Sequence, residues 1–236
     1  MLQVAHQISI TDLDLSKIVL AVGSLGTAAY GVVDVSKGFG GGISNRGFGD
    51  IKKIIAAFIP ERSDTDLGAS ALGLTSVLAT LRANWLNGMA LADQKSVAKA
   101  LIKLNLNTAT ADRMARATGV DANLLGSVAK KLSTGDALKQ EETDVYGRFD
   151  LLLTALLDQG YQRADQRYRN SAKLLAVPVA VVLALLGVAA LNGKWMWDEA
   201  WKATLCGILA TPLAPIAKDL SSAIQAGAKV AQSWKS

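Results

Sequence analysis

"RYRNSAKLLAVPVAVVLALLGVAALNGKWMWDEAWK" occupies residues 167–202, and the reading of its middle decides the fold. From Leu174 to Leu191 it has no charged residue. As a helix that stretch is roughly 27 Å long at about 1.5 Å per residue, close to the hydrocarbon thickness of a bilayer. It is apolar all round, so it has no stripe to face a core while a polar back meets water. Arg167, Arg169 and Lys173 precede it, and Trp195, Trp197 and Trp201 follow it. Cations at one end and indoles at the other suit the two membrane interfaces. The interface anchors are therefore read as Tyr168, Arg169, Lys173, Trp195, Trp197 and Trp201. Pro178 sits near the start, where its missing N–H costs least. The alternative is a buried central helix of a soluble protein; the flanks favour lipid.

Composition points the same way. Half of the 236 residues are hydrophobic, 19% are charged, and the mean hydropathy is +0.26. A net charge of +5 fits basic flanks that orient membrane helices as well as it fits nucleic acid or anionic headgroups. His6 and Cys206 are the sole histidine and cysteine, so no zinc set and no intrachain disulfide can form within one chain. No nucleophile–base setting is visible either. The chain reads as a non-enzyme with no cofactor and no metal.

Two further apolar runs flank this picture. "KIVLAVGSLGTAAYGVVDVSK", residues 17–37, is uncharged from Ile18 to Val33. Gly23, Thr27 and Gly31 recur every fourth residue, a small-residue face suited to close helix–helix packing in lipid. Residues 203–218 form the other run, with Pro212 and Pro215 inside it. It reads as a kinked span continuing to Ala226, or as a re-entrant hairpin. The expected organisation is an extracytoplasmic tail at 1–17, a first span at 18–37, and a glycine-rich hinge with an amphipathic helix at 38–62. A helical cytoplasmic domain at 63–170, a transmembrane hairpin at 171–226 and a cytoplasmic tail at 227–236 follow. Lysine and arginine cluster after the first run, before the second and at the C-terminus. That bias predicts a multi-pass protein of a bacterial-type inner membrane, N-terminus outside and C-terminus inside. The first run reads as an uncleaved anchor.

The segment "GFGGGISNRGFG", residues 38–49, lacks the spacing of a phosphate loop and reads as a flexible hinge. Ile51, Ile54, Ile55 and Phe58 then mark a short amphipathic helix, lying on the membrane or packed on the following domain. Beyond it every segment has helical periodicity and none reads as a strand. The fold class is all-α, and residues from about 136 are expected to form one long helix running into the second span.

"TADRMARATGVDANLLGSVAKKL", residues 110–132, resembles the general helix-turn-helix pattern. Among its early second-helix positions only Asn123 could read a base edge, so nucleic acid is disfavoured as a partner. Glu141, Glu142 and Asp144 read as a solvated face. The function expected is a non-catalytic membrane anchor, scaffold or accessory subunit of a larger, possibly homo-oligomeric assembly. Its partners would be membrane lipids and a protein, or a second copy, held through the first span. The alternatives are an oligomeric channel and a membrane-tethered helix-turn-helix regulator.

Overall fold

A computed structural model describes residues 15–61, 72–192 and 197–233. Every element among them is helical: α1 (Leu15–Val35), α2 (Ser44–Phe58), α3 (Leu74–Leu86), α4 (Leu91–Leu104), α5 (Ala111–Thr118), α6 (Ala122–Thr134), α7 (Gln140–Asn192) and α8 (Trp197–Ser233), with a 3-10 turn at Ser36–Gly38. The chain divides into two compact units, residues 40–169 and residues 1–39 with 170–236. Helix α7 contributes residues 140–169 to the first and 170–192 to the second.

In the 40–169 unit the core is made of large side chains. Phe48, Ile51, Ile55 and Phe58 of α2 are buried together with Val77 and Leu81 of α3, Ile102 of α4 and Met114 of α5. From α7, Phe149, Leu153, Leu157 and Tyr161 join them, and so fall at the three-to-four spacing of a helix stripe. The apolar face of α2 is thus used inside this unit, while Lys52 and Lys53 are exposed.

The glycines ahead of α2 do more than loosen the chain. Gly40, Gly41 and Gly42 take positive φ values of 67°, 95° and 43°, which side-chain-bearing residues rarely adopt. The turn is fixed by Arg82 and Asn45, whose side chains donate to the Gly40 carbonyl at 2.7 and 3.0 Å. Gly47 lies inside α2 where a Cβ would come within 2.6 Å of the Ala164 carbonyl and 2.8 Å of the Trp85 ring. Glycine here lets α2 press on α7.

Polar bonds tie the periphery. Asp150 receives Lys99 at 2.6 Å and Lys103 at 3.1 Å, and Lys95 pairs with Asp158. Burial alone would raise the Asp150 carboxyl, but the two lysine hydrogen bonds outweigh it and hold it below the usual range. Tyr146, whose ring lies 5.0 Å under the Lys103 ammonium, and Asp150 together push that ammonium up despite partial burial. Glu142 is not on a solvated face as the sequence suggested. It is buried, and it accepts from Lys131 Nζ, the Lys139 backbone N–H and Ser127 Oγ, each at 2.7 Å. Lys139 is the residue before α7 and Glu142 its third residue, so the carboxylate reaches back to cap the helix start.

Candidate functional site: the apolar helices and their contacts

Among the described residues three helices are long and apolar enough to cross a membrane: Lys17–Gly38, Gln140–Asn192 and Trp197–Ile224, whose most apolar windows have mean hydropathies of 1.7, 2.8 and 1.2. All three belong, in whole or in their apolar part, to the unit of residues 1–39 and 170–236. Their outward faces carry the large side chains. Leu174 is 72% exposed, Leu191 88% and Trp197 80%, and Val182, Leu186, Ile208, Leu209 and Ile216 are exposed as well.

What these helices bury is small. The buried positions of α1 are Gly23, Gly26, Ala29 and Val33; those of α7 in this unit are Ala172, Ala176 and Ala180. On α8 they are Ala203, Gly207, Ala210, Thr211, Ala214 and Ala217, a repeat of about seven residues that keeps small groups on one side. Backbones meet as a result. A Cβ on Gly26 would overlap the Ala210 carbonyl, one on Gly23 would overlap the Ala217 methyl, and one on Gly207 would come within 2.5 Å of the Val181 Cα. Close backbone approach through small residues is how helices associate where the solvent is itself apolar.

Of the packing residues expected from sequence, Gly23 lies in this seam. Thr27 is exposed, with its hydroxyl donating to the Gly23 carbonyl at 3.1 Å, and Gly31 has open space around it. The seam follows Gly23, Gly26 and Ala29 instead of a strict four-residue step. Of the interface anchors, Tyr168 falls in the 40–169 unit, its ring edge-on to Trp85 at 6.2 Å and 82°. Arg169 pairs with Asp165 at 2.7 Å, Lys173 is exposed, and Trp197 and Trp201 are exposed. Trp195 lies outside the described residues.

The seam also has a direction. Gly23 meets Ala217 and Gly26 meets Ala210 and Ala214, so numbering rises along α1 as it falls along α8. The two helices are antiparallel, and the Lys17 end of α1 lies with the Lys218 end of α8. A chain that crosses a membrane three times in succession runs its first and third spans in the same direction. While α1 keeps this seat it cannot also be the first of three such crossings with residues 40–169 held on one side. The N-outside, C-inside orientation expected from the charge pattern requires α1 to leave α8.

An open cleft of about 620 Å³ lies within this unit, lined by Tyr30, Asn170, Lys173, Leu174, Val177, Thr211, Pro212 and Pro215. No group of histidine, cysteine, aspartate or glutamate among the described residues could hold a metal ion. Ser24 and Thr27, polar groups of α1, turn their hydroxyls onto the carbonyls of Leu20 and Gly23 in their own helix.

The helix-turn-helix stretch forms α5 and α6 joined at Gly119, which is left-handed, with Asp121 capping α6 through the Leu124 N–H at 2.8 Å. Ala115, Leu125 and Val128 are buried between the elements. Lys131 is taken up by Glu142 and Arg113 donates to the Ala56 carbonyl at 3.1 Å, so two of its cations serve the fold.

Small-residue repeats on α8 were visible in the sequence as Ala203, Gly207, Ala210, Ala214 and Ala217, but they were read as part of an apolar run. Comparison with protein families, with curated proteins and with solved structures finds no match.

Proposed function

We propose that this protein is a non-catalytic membrane anchor, which holds the helical domain of residues 40–169 at a bilayer surface as a scaffold or accessory subunit of a larger assembly. The observation that carries the reading is the inverted arrangement of the apolar unit: glycine and alanine inside, leucine, isoleucine and tryptophan outside. In water that pattern leaves the largest apolar side chains hydrated and gains little from burial. In lipid it costs nothing, because the outer side chains meet acyl chains and the inner ones allow close packing. Helices α7 and α8 form the crossing hairpin in this reading, with Arg167, Arg169 and Lys173 on the cytoplasmic side and the tryptophans on the other. The charge distribution supports an inner membrane with the 40–169 domain in the cytoplasm. Thr27 and Gly31 remain open on α1 for a second copy or a partner helix.

Membrane fractionation of the full chain followed by sizing in mild detergent tests this. Sedimentation with membranes through carbonate washing, in a complex larger than the 24.7 kDa chain, is expected. A chain that stays dissolved after ultracentrifugation without detergent contradicts the anchor, and a strictly monomeric species with no co-purifying protein contradicts the scaffold.

A further inference from the structure

We infer that the cleft lined by α7, α8 and Tyr30 of α1 is a binding site for one anionic phospholipid, an inference that rests on the membrane reading above. Along α7 its lining runs from Asn170 and Lys173 to Leu174 and Val177, so a polar end passes into an apolar one; Tyr30 and Thr211 add hydroxyls, and Pro212 and Pro215 add carbon. Thr211 donates to the Ile208 carbonyl of its own helix at 3.5 Å, but Lys173, Asn170 and Tyr30 make no hydrogen bond or ion pair to another described residue, although Arg167 and Arg169 are paired, to Asp50 and Asp165. Lys173 is thus a cation left for an outside partner at the start of the apolar run of α7. A lone ammonium with two neutral hydrogen-bonding groups suits a phosphodiester, which carries one negative charge and several acceptor oxygens.

The apolar end fixes what is attached to that phosphate. Pro212 and Pro215 have no N–H, so α8 cannot close its ladder to the carbonyls of Ile208 and Thr211 in the usual way. The proline rings, with Leu174 and Val177, instead add carbon to the wall of the cleft. A volume of about 620 Å³ is in the range that takes a small ligand or part of a lipid. A headgroup at Lys173 with an acyl chain along Pro215, Pro212 and Val177 fills both ends; a free phosphate fills one.

The full-length protein in detergent, offered equal amounts of phosphatidylglycerol and phosphatidylcholine, is read by native mass spectrometry of the retained lipid. One phosphatidylglycerol is expected to be kept preferentially, and Lys173→Gln is expected to lower that preference about fivefold. Lys202→Gln, a cation outside the cleft, leaves it unchanged. Equal retention of the two lipids, or an equal loss in both variants, overturns the site. So does displacement of the lipid by millimolar inorganic phosphate. Flotation with vesicles of phosphatidylcholine alone separates the two proposals: protein that fails to float defeats the anchor itself, whereas protein that floats but shows no lipid preference defeats only the cleft.

Discussion

The two units solve the same problem, packing helices, with opposite materials. In residues 40–169 the interior is phenylalanine, isoleucine, leucine and tyrosine, and the exterior is charged. In the unit of α1, α8 and the end of α7 the interior is glycine and alanine, and the exterior is leucine, isoleucine and tryptophan. The first gains by removing carbon from water, at about 25 cal/mol per Å². The second gains little that way and depends on contact between closely approaching backbones. The difference is the one that the proposed anchor requires, with water around one unit and lipid around the other, and substitutions should then act in opposite senses in the two interiors.

The largest effect is expected where carbon is removed from the water-type core. Phe149 is fully buried between α7 and its neighbours. Phe149→Ala leaves a cavity and should cost about 3–5 kcal/mol. Hydrogen exchange of the full chain in detergent would register it as lost protection in α3, α4 and α6, with α8 unchanged. Equal loss in α8 would show that the two interiors are not independent.

The converse change belongs to the other interior. Gly26→Leu places a side chain against the Ala210 carbonyl, which as helix backbone cannot move aside. A cost of about 1–3 kcal/mol is expected, with α1 leaving its seat. Gly31→Leu adds the same carbon at a position open on all sides and should leave the seat intact. If Gly31→Leu proved the more damaging, the four-residue face read from the sequence would be the true contact and the seam described here would not.

Direction can be tested with the same pair of helices. In a Cys206→Ser background, Leu20→Cys and Ser221→Cys are expected to cross-link on oxidation in detergent, because both side chains line one cleft where α1 and α8 run antiparallel. Repeating the oxidation in bilayers then decides the route of the chain. A persistent link excludes three successive crossings with residues 40–169 on one side. A lost link means that α1 leaves α8 on insertion.

Particular residues show what could be read in advance. The all-helical class and the three apolar helices followed from periodicity and from uncharged length, because those properties belong to each segment by itself. Gly119, which ends α5, and Asp121, which caps α6, are likewise local: a left-handed glycine and a capping carboxylate need no distant partner. Pairings were not local. Whether Gly23 is followed into the seam by Gly26 or Thr27 depends on where α8 puts Ala210 and Ala214, and nothing in residues 17–37 specifies that. Nor do charge counts reveal helix direction, since they score each span's ends and not its neighbour. Glu142 was misread because three adjacent acids look solvated until Ser127 and Lys131 arrive from another helix.

That buried carboxylate gives the smallest and sharpest test of the water-type unit. Hydrogen bonds from Lys131, the Lys139 N–H and Ser127 hold Glu142 at about 2, against an ordinary 4.5. A carboxyl whose folded value is depressed stabilises the fold wherever it is ionised in both states. Its contribution is therefore complete above about pH 4.5 and is lost as pH falls towards 2. Exchange protection at the α6–α7 corner should decline across that window ahead of the rest of the unit. Glu142→Gln keeps the shape and removes the charge, so it should lower protection at neutral pH and flatten the decline. An unchanged acid profile in that variant would mean that the corner is held by its apolar contacts alone, and that the carboxylate merely occupies space beside Lys131.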